Sequence, residues 1–380
     1  MAETVTAGAR PLLPGLHDEI VVWEILLRLP PKHLLRCRAV CRAWRTVTSA
    51  RDFLLAHHGR QPSLPIFSSD EAWIHGIHHH NMLAFDHRDD QLHAVARLDE
   101  AFLPLDSCDG MLVLINLATV GSSSCLSICN PATRQQALLG LPPDFSVTGI
   151  RARWRGKVAP PKHHIGFHVF ALGSDQPPRY IGWPHTSLGL FGVPVRMRDS
   201  LHWCPVYCPS EGDQSLLHER KLVVFDTISE SFRRMHEPSG GHGTPNLFDM
   251  DGTLGIYARN SSNEAIDIWV LESYESEVWD LKYRIKLPVA KIRKEFQDCG
   301  DFWEWDFDAV SVDGGVLLLV MVEEWLLHID SDGKLVNSFY RRCRGLSVSE
   351  YRLKQSLVQH TFFPALEGYA VNASPFIGSV

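Results

Sequence analysis

The chain has 380 residues, 45% hydrophobic and 21% charged, with a formal net charge of −7. That length exceeds one average domain and fits two, or one large β domain with a small module. Nine cysteines, an odd number without compact spacing, exclude the disulfide framework of a secreted mini-domain and favour a reducing compartment. The longest apolar run is Val316–Val322, far short of the ~20 residues that cross a bilayer. No leader is visible in the first residues, so a soluble, intracellular (cytoplasmic or nuclear) protein is expected.

Charge is spread unevenly. Residues 1–60 hold nine Lys/Arg against five Asp/Glu, a net +4, which leaves −11 for the remainder. A basic N-terminal module on an acidic body implies two units. The basic end suits an acidic partner, and +4 is thin support for nucleic acid.

Residues 1–10 read as an unstructured tail, followed by a helical module over 11–58. "HDEIVVWEILLRL" places Ile20, Trp23 or Glu24, and Leu27 on successive turns, with Ile25, Leu26 and Leu29 filling in. Asp18 and Glu19 favour the positive end of its dipole. "LPP" at Leu29–Pro31 ends this helix and opens a second, "PKHLLRCRA". "VCRAWRTVTS" then reads as one helix with Val40, Cys41, Trp44 and Val47 on its apolar face, and "RDFLLAHH" as a further piece anchored by Phe53 and Leu54. So few residues bury too little surface to stand alone.

"GRQPSLPIF", residues 59–67, reads as a linker. Beyond it, over 68–380, short apolar runs alternate with turn signals: "MLVLIN", "CLSICN", "HIGFHVFAL", "LHWCPVY", "KLVVFD", "TLGIYAR", "AIDIWVLE", "VLLLVMV" and "WLLHID", between "CDG", "NPATR", "DTISES", "DMDG", "VDGG" and "SDGK". Ile266, Ile268 and Val270 alternate with Asp267, Trp269 and Leu271, the strand period. Many short strands without long helices mean a sandwich, barrel or propeller. At ~40–50 residues per blade a propeller of six to eight blades is expected. The fold class is thus α+β multidomain, a small helical module before a large all-β, propeller-like domain.

Leu13–Phe53 resembles the F-box, on Leu13–Pro14, Ile25–Leu26, Leu29–Pro30, Leu34–Leu35 and Val40–Cys41…Trp44, in the family's order and spacing. "DSCDGMLVLIN…ICNPATRQ…LP", "LVVFDTISESFRRM", "AIDIWVLESYESEVWDLKYRIKLP" and "GGVLLLVMVEEWLLHIDSDGKLV" resemble the F-box-associated region of plant F-box proteins. The resemblance implies the substrate receptor of a Skp–cullin–F-box ubiquitin ligase, without catalytic residues, cofactor or metal of its own. It implies a Skp-type adaptor held by Leu13, Pro14, Ile20, Ile25, Leu26, Leu29, Pro30, Leu34, Leu35, Val40, Cys41 and Trp44, and cullin through that adaptor. The β domain is expected to take a protein target that the sequence does not name; nucleic acid and membrane are not expected partners. The rival readings are an adaptor-bound module without degradative role and a propeller enzyme.

The physical reading of the residues agrees. The apolar residues of three short helices exceed what they can bury against one another, and a buried Trp contributes a few kcal/mol at ~25 cal/mol per Å². Other chemistry is weaker. Cys37/Cys41, Cys125/Cys129 and Cys204/Cys208, with His202 near the last pair, have half-zinc spacing but read better as buried small hydrophobes. "IHHHN" (Ile77–Asn81) reads as a solvated loop. "DFWEWDFD" (Asp301–Asp308) reads as a half-buried strand with an acidic face.

Overall fold

The computed structural model describes residues 12–13, 15–70, 79–99, 102–116, 126–139, 167–169, 176, 179–182, 193–204, 221–238, 245–260, 264–296, 301–340, 344–363 and 376. The proposed tail, Pro14, Cys125, Cys208 and part of "IHHHN" lie outside these residues.

The helical module begins with α1 (Asp18–Ile20), which continues as a π turn (Val21–Ile25) and a 3-10 turn (Leu26–Arg28). In the π turn the Leu26 N–H reaches back to the carbonyls of both Val21 and Val22. The inserted residue moves the buried stripe to Val21, Val22, Leu26 and Leu27 and turns Ile20, Trp23 and Ile25 outward. After the Leu29–Pro30 break come α2 (Pro31–Val40), α3 (Arg42–Ser49) and α4 (Arg51–Arg60).

"VCRAWRTVTS" is therefore not one helix. Cys41 is extended (φ −156°, ψ 164°) and caps α3, its Sγ accepting the Trp44 backbone N–H at 3.4 Å. Val40 ends α2 instead of sharing a face with Trp44.

The β region is a five-bladed propeller of four-stranded antiparallel sheets. The first blade holds β1 (Leu64–Asp70), β2 (His79–Asp86) and β3 (Gln91–Asp99); the second holds β4 (Phe102–Cys108), β5 (Met111–Asn116), β6 (Leu126–Asn130) and β7 (Gln135–Leu138). A two-stranded pair follows, β8 (Phe167–Val169) and β9 (Arg179–Gly182). The third blade is β10 (Val195–Met197), β11 (Ser200–Trp203), β12 (Lys221–Asp226) and β13 (Ser231–His236). The fourth is β14 (Asn246–Met250), β15 (Thr253–Asn260), β16 (Ala265–Ser273) and β17 (Val278–Lys286), after which comes the short helix α5 (Val289–Glu295). The fifth is β18 (Asp306–Val312), β19 (Gly315–Val322), β20 (Trp325–Ile329) and β21 (Leu335–Tyr340). Finally β22 (Arg344–Leu353) returns to pair antiparallel with β1, Leu64 opposite Leu353, and becomes the fourth strand of the first blade.

Five blades stand where length suggested six to eight, because chain is not spent evenly. The stretch between β7 and β10 contributes only the β8–β9 pair among the described residues. The linker expected over 59–67 is mostly regular structure: α4 runs to Arg60 and β1 starts at Leu64. Pro65 is accommodated beside an irregularity in the β1–β22 register, where a ladder tolerates proline.

Strand composition follows from blade packing. Val316, Leu318, Val320 and Val322 of β19 join a core with Ile266 and Ile268 of the fourth blade. The alternate Leu317, Leu319 and Met321 join Phe67, Leu83 and Phe85 of the first. Both faces are covered, so the run is continuously apolar. For the same reason "AIDIWVLE" has no solvated face: Asp267 is buried, where it accepts 2.6 and 2.9 Å bonds from Arg284 Nε and Nη2 and a 3.0 Å bond from Asn260. In "DFWEWDFD" only the second half is strand. Phe302–Glu304 is a 3-10 turn with a reciprocal Asp301/Glu304 capping box, and Trp305 and Asp308 are buried.

Candidate functional site

Val21, Val22, Leu26, Leu27, Leu34, Phe53 and Leu54 close most of the helical core, and the eighth buried member of that cluster is Leu357, 1% exposed, from beyond β22. Trp44 is half-buried against the cluster, and its Nε1–H donates to the Leu12 carbonyl at 3.0 Å. Arg38 is turned inward, donating to Thr48 Oγ1 (3.2 Å) and the Thr48 carbonyl (2.5 Å). His57 is fully buried, with Nε2 2.8 Å from the Leu29 carbonyl; desolvation first, then Arg38 and His58, hold its pKa below the ordinary histidine value. Burial raises the Cys37 thiol.

What the core leaves outside is an apolar strip of Leu13, Leu16, Ile20, Trp23 (43% exposed) and Ile25, with Val40 (68%) at the end of α2 and Leu55 on α4. Trp23 is braced by Phe53, ring centroids 6.1 Å apart. The structure thus divides the twelve residues singled out by sequence. Leu13, Ile20, Ile25, Pro30, Val40 and Cys41 are exposed; Leu29, Leu35 and Trp44 are half-buried. Leu26 and Leu34 are internal, and a side chain that fills the module's core offers a partner no surface. Sequence reasoning left out Trp23 and Leu16. Trp23 was on the helical stripe all along, but a regular helix would have turned it inward.

The module is fixed to the propeller at a definite place. Gly110, in the β4–β5 turn, has φ +84°, and a Cβ there would lie 2.5 Å from Ser356 Cβ and 2.6 Å from the Lys354 carbonyl. Buried Asn130 donates to the Ser356 carbonyl (3.0 Å) and accepts from the backbone N–H of Ala132 (3.0 Å) and Thr133 (3.3 Å). On the other side Lys354 Nζ donates to the Gly59 carbonyl (3.2 Å), and His58 Nδ1 lies 3.3 Å from the Gln355 carbonyl. Residues 354–358 are thus a wedge between the second blade and α4. The "DG" and "NPATR" segments, read from sequence as turns and as part of the F-box-associated resemblance, are its seat.

In an antiparallel meander the first-to-second and third-to-fourth turns of a blade lie at one end and the remaining connections at the other. Asp109–Gly110 and Pro131–Arg134 are both of the former kind. The helical module therefore occupies that end of the propeller.

A family profile described as the F-box domain matches residues 14–55. Those residues are an F-box domain. The F-box protein At4g19940 of Arabidopsis thaliana is 24% identical over 321 residues, covering 74% of this chain and 75% of its own. The F-box protein At3g07870 of Arabidopsis thaliana is 22% identical over 336 residues, covering 77% and 78%. Most of the chain, propeller included, is thus shared with Arabidopsis F-box proteins. Among solved structures the chain is similar to one from a structural and mechanistic analysis of two prolyl endopeptidases (10% identity, TM-score 0.35, covering 83% of this chain and 49% of that one). It is also similar to TolB from Acinetobacter baumannii (9%, TM-score 0.31, 82% and 72%). Both likenesses are too distant to bear on activity.

The other candidate chemistry finds structural uses. Besides Cys41, Cys129 is buried in the core between the first two blades and Cys204 packs between the third and fourth; desolvation raises both thiols. His202 is fully buried, with Nδ1 3.2 Å from the Val195 carbonyl and Nε2 2.8 Å from Tyr274 Oη; desolvation lowers its pKa to about 4. Among the described residues, Asp86, Asp89 and His93 form the one grouping of three metal-ligand types, and Asp86 there is engaged by Arg88 while Asp89 bonds His93 at 2.8 Å. No helix of the described residues is long and apolar enough to cross a membrane.

Proposed function

We propose that the chain is the substrate receptor of a Skp–cullin–F-box ubiquitin ligase, holding a Skp-type adaptor with its F-box and a protein target with its propeller. An N-terminal F-box joined to a propeller fits that role. The observation that carries the adaptor contact is the strip of Leu13, Leu16, Ile20, Trp23 and Ile25, five large apolar side chains left outside the core over one short stretch of chain. Exposed large apolar residues grouped on a small helical surface mark protein interfaces, and a braced tryptophan is the usual kind of anchor. Leu26 and Leu34 support this surface from within and are not part of it. The chain itself supplies no chemistry in this reading; cullin and the transfer machinery are reached through the adaptor.

Target capture is assigned to the propeller end away from the F-box. At the F-box end the β4–β5, β10–β11, β14–β15 and β18–β19 strands are joined by tight turns, three of them Asp-Gly pairs with both residues at positive φ. Connections at the other end include the longer span between Trp203 and Lys221, and an adaptor seated on the F-box leaves that end open.

The test is a binding assay between the full chain and a purified Skp-type adaptor. Trp23→Ala and Ile20→Asp are expected to abolish binding, Ile20→Asp with little change in the melting temperature and Trp23→Ala with a smaller drop than that of Leu34→Ala, which removes a fully buried side chain. Undiminished binding by Trp23→Ala and Ile20→Asp overturns the assignment of the strip. Adaptor binding without ubiquitin transfer to any captured protein in a reconstituted ligase overturns the degradative part.

A further inference from the structure

Helices α2–α4 carry seven Lys/Arg and one acid, Asp52, in a chain whose residues beyond 60 sum to −11. Arg38 is spent inside on Thr48. The other six, Lys32, Arg36, Arg42, Arg45, Arg51 and Arg60, are exposed. A solvated helical surface ordinarily mixes signs and pairs them at i,i+4, as Glu24 and Arg28 do on the first helix. Here none of the five arginines Arg36, Arg42, Arg45, Arg51 and Arg60 has an acidic partner among the described residues.

Position ties these cations to the apolar surface. Lys32, Arg36 and Val40 recur at intervals of four on α2 and so share one face, and Val40 is the most exposed apolar residue of the module. Arg45 Nε donates to the Arg38 carbonyl at 3.3 Å, which brings the cations of α3 against the end of α2 where Val40 sits. A protein that covers Val40 meets this positive rim.

We propose that the basic face of α2–α4 is an electrostatic docking surface for an acidic protein surface on the Skp-type adaptor, which it steers onto the apolar strip. The inference rests on the strip being the adaptor contact. Exposed cations add little to the affinity of the finished complex, because water and salt screen them. Their effect falls on the encounter rate. An acidic protein suits the surface better than a nucleic acid, since the cations border an apolar strip that a protein can cover and a phosphate backbone cannot.

The experiment follows association and dissociation of the full chain and a purified Skp-type adaptor at about 50 and about 300 mM NaCl. The association rate of wild type is expected to fall about tenfold across that range. The double variant Arg36→Glu/Arg45→Glu is expected to associate about tenfold more slowly at low salt, with the dissociation rate within about twofold and an unchanged melting temperature. Arg36→Lys/Arg45→Lys restores the wild-type rate. Equal salt dependence in wild type and the charge-reversed variant, or a loss confined to dissociation, overturns the proposal while leaving the adaptor reading intact. Tight binding of duplex DNA at about 150 mM NaCl, or salt-sensitive self-association lost in the variant, overturns it by giving the face to a polyanion or a second copy. Failure of wild type to bind at either salt overturns both readings.

Discussion

Replacing Asn130 by alanine removes three hydrogen bonds at once. Asn130 is fully buried, and so is Ser356, whose carbonyl its side-chain amide satisfies. Its own oxygen takes the Ala132 and Thr133 N–H groups, forming the turn. A typical bond contributes ~1 kcal/mol net, and a buried group left unpaired costs ~1–3 kcal/mol. The buried Ser356 carbonyl and Thr133 N–H bear that larger cost, while the Ala132 N–H is only part-buried. The expected loss is therefore about 3 kcal/mol. Urea denaturation followed by tryptophan fluorescence measures it, and Trp44 places a reporter in the F-box. Asn130→Asp separates the contributions: it keeps both accepted bonds but turns a carboxylate oxygen towards the Ser356 carbonyl, so it should be at least as damaging as alanine. An alanine variant within about 0.5 kcal/mol of wild type, or an aspartate variant as stable as wild type, would refute the wedge geometry.

Gly110 and Gly252 occupy equivalent Asp-Gly turns with φ +84° and +81°, but only Gly110 is approached by another segment. Gly252→Ala should cost about 1 kcal/mol of turn strain and Gly110→Ala several times more, read as the difference between two denaturation curves. His202 is neutral in the fold with a pKa of about 4, while in the unfolded chain it protonates near pH 6.5. The unfolded state thus binds the extra proton: stability is flat above pH 6.5, falls as pH drops, and is lower by about 3 kcal/mol once pH reaches 4. His57 is lowered too and adds in the same direction; His202→Gln should flatten the acid slope of the denaturation midpoint. The Asp267–Arg284 pair is asymmetric, since the Asp267 side chain is 3% exposed and that of Arg284 45%. Arg284→Ala strands a buried carboxylate and should cost about 3 kcal/mol, whereas Asp267→Ala frees a cation that can turn to water and should cost less.

The strands were legible because both faces of a blade are apolar and the turns between them are chemically explicit. "MLVLIN" and "KLVVFD" coincide with β5 and β12, and the Asp-Gly pairs fall on the β4–β5, β14–β15 and β18–β19 turns. The interruptions of the helical module were not legible. A cysteine is a weak capping residue, so nothing marked Cys41 as the start of α3. The π turn changes no residue type; it only shifts which residues face inward, and that exposed Trp23 while burying Leu26. The burial of Asp267 was not legible either, because alternation reports two different sides of a strand, not which of them meets water. Leu357 had no local signal whatever, since its neighbours in space are at the other end of the chain.

That last contact bears on how the molecule is made. The ribosome delivers α1–α4 long before it delivers Leu357. Until then the F-box lacks one of the eight side chains that fill its interior, and the first blade lacks the strand that closes the ring. The same few residues finish both. A chain cut short before β22 by a premature stop or a protease leaves an F-box with a gap in its core and a propeller with an open seam. Damage around residues 344–357 is thereby registered in the F-box, where an adaptor would dock.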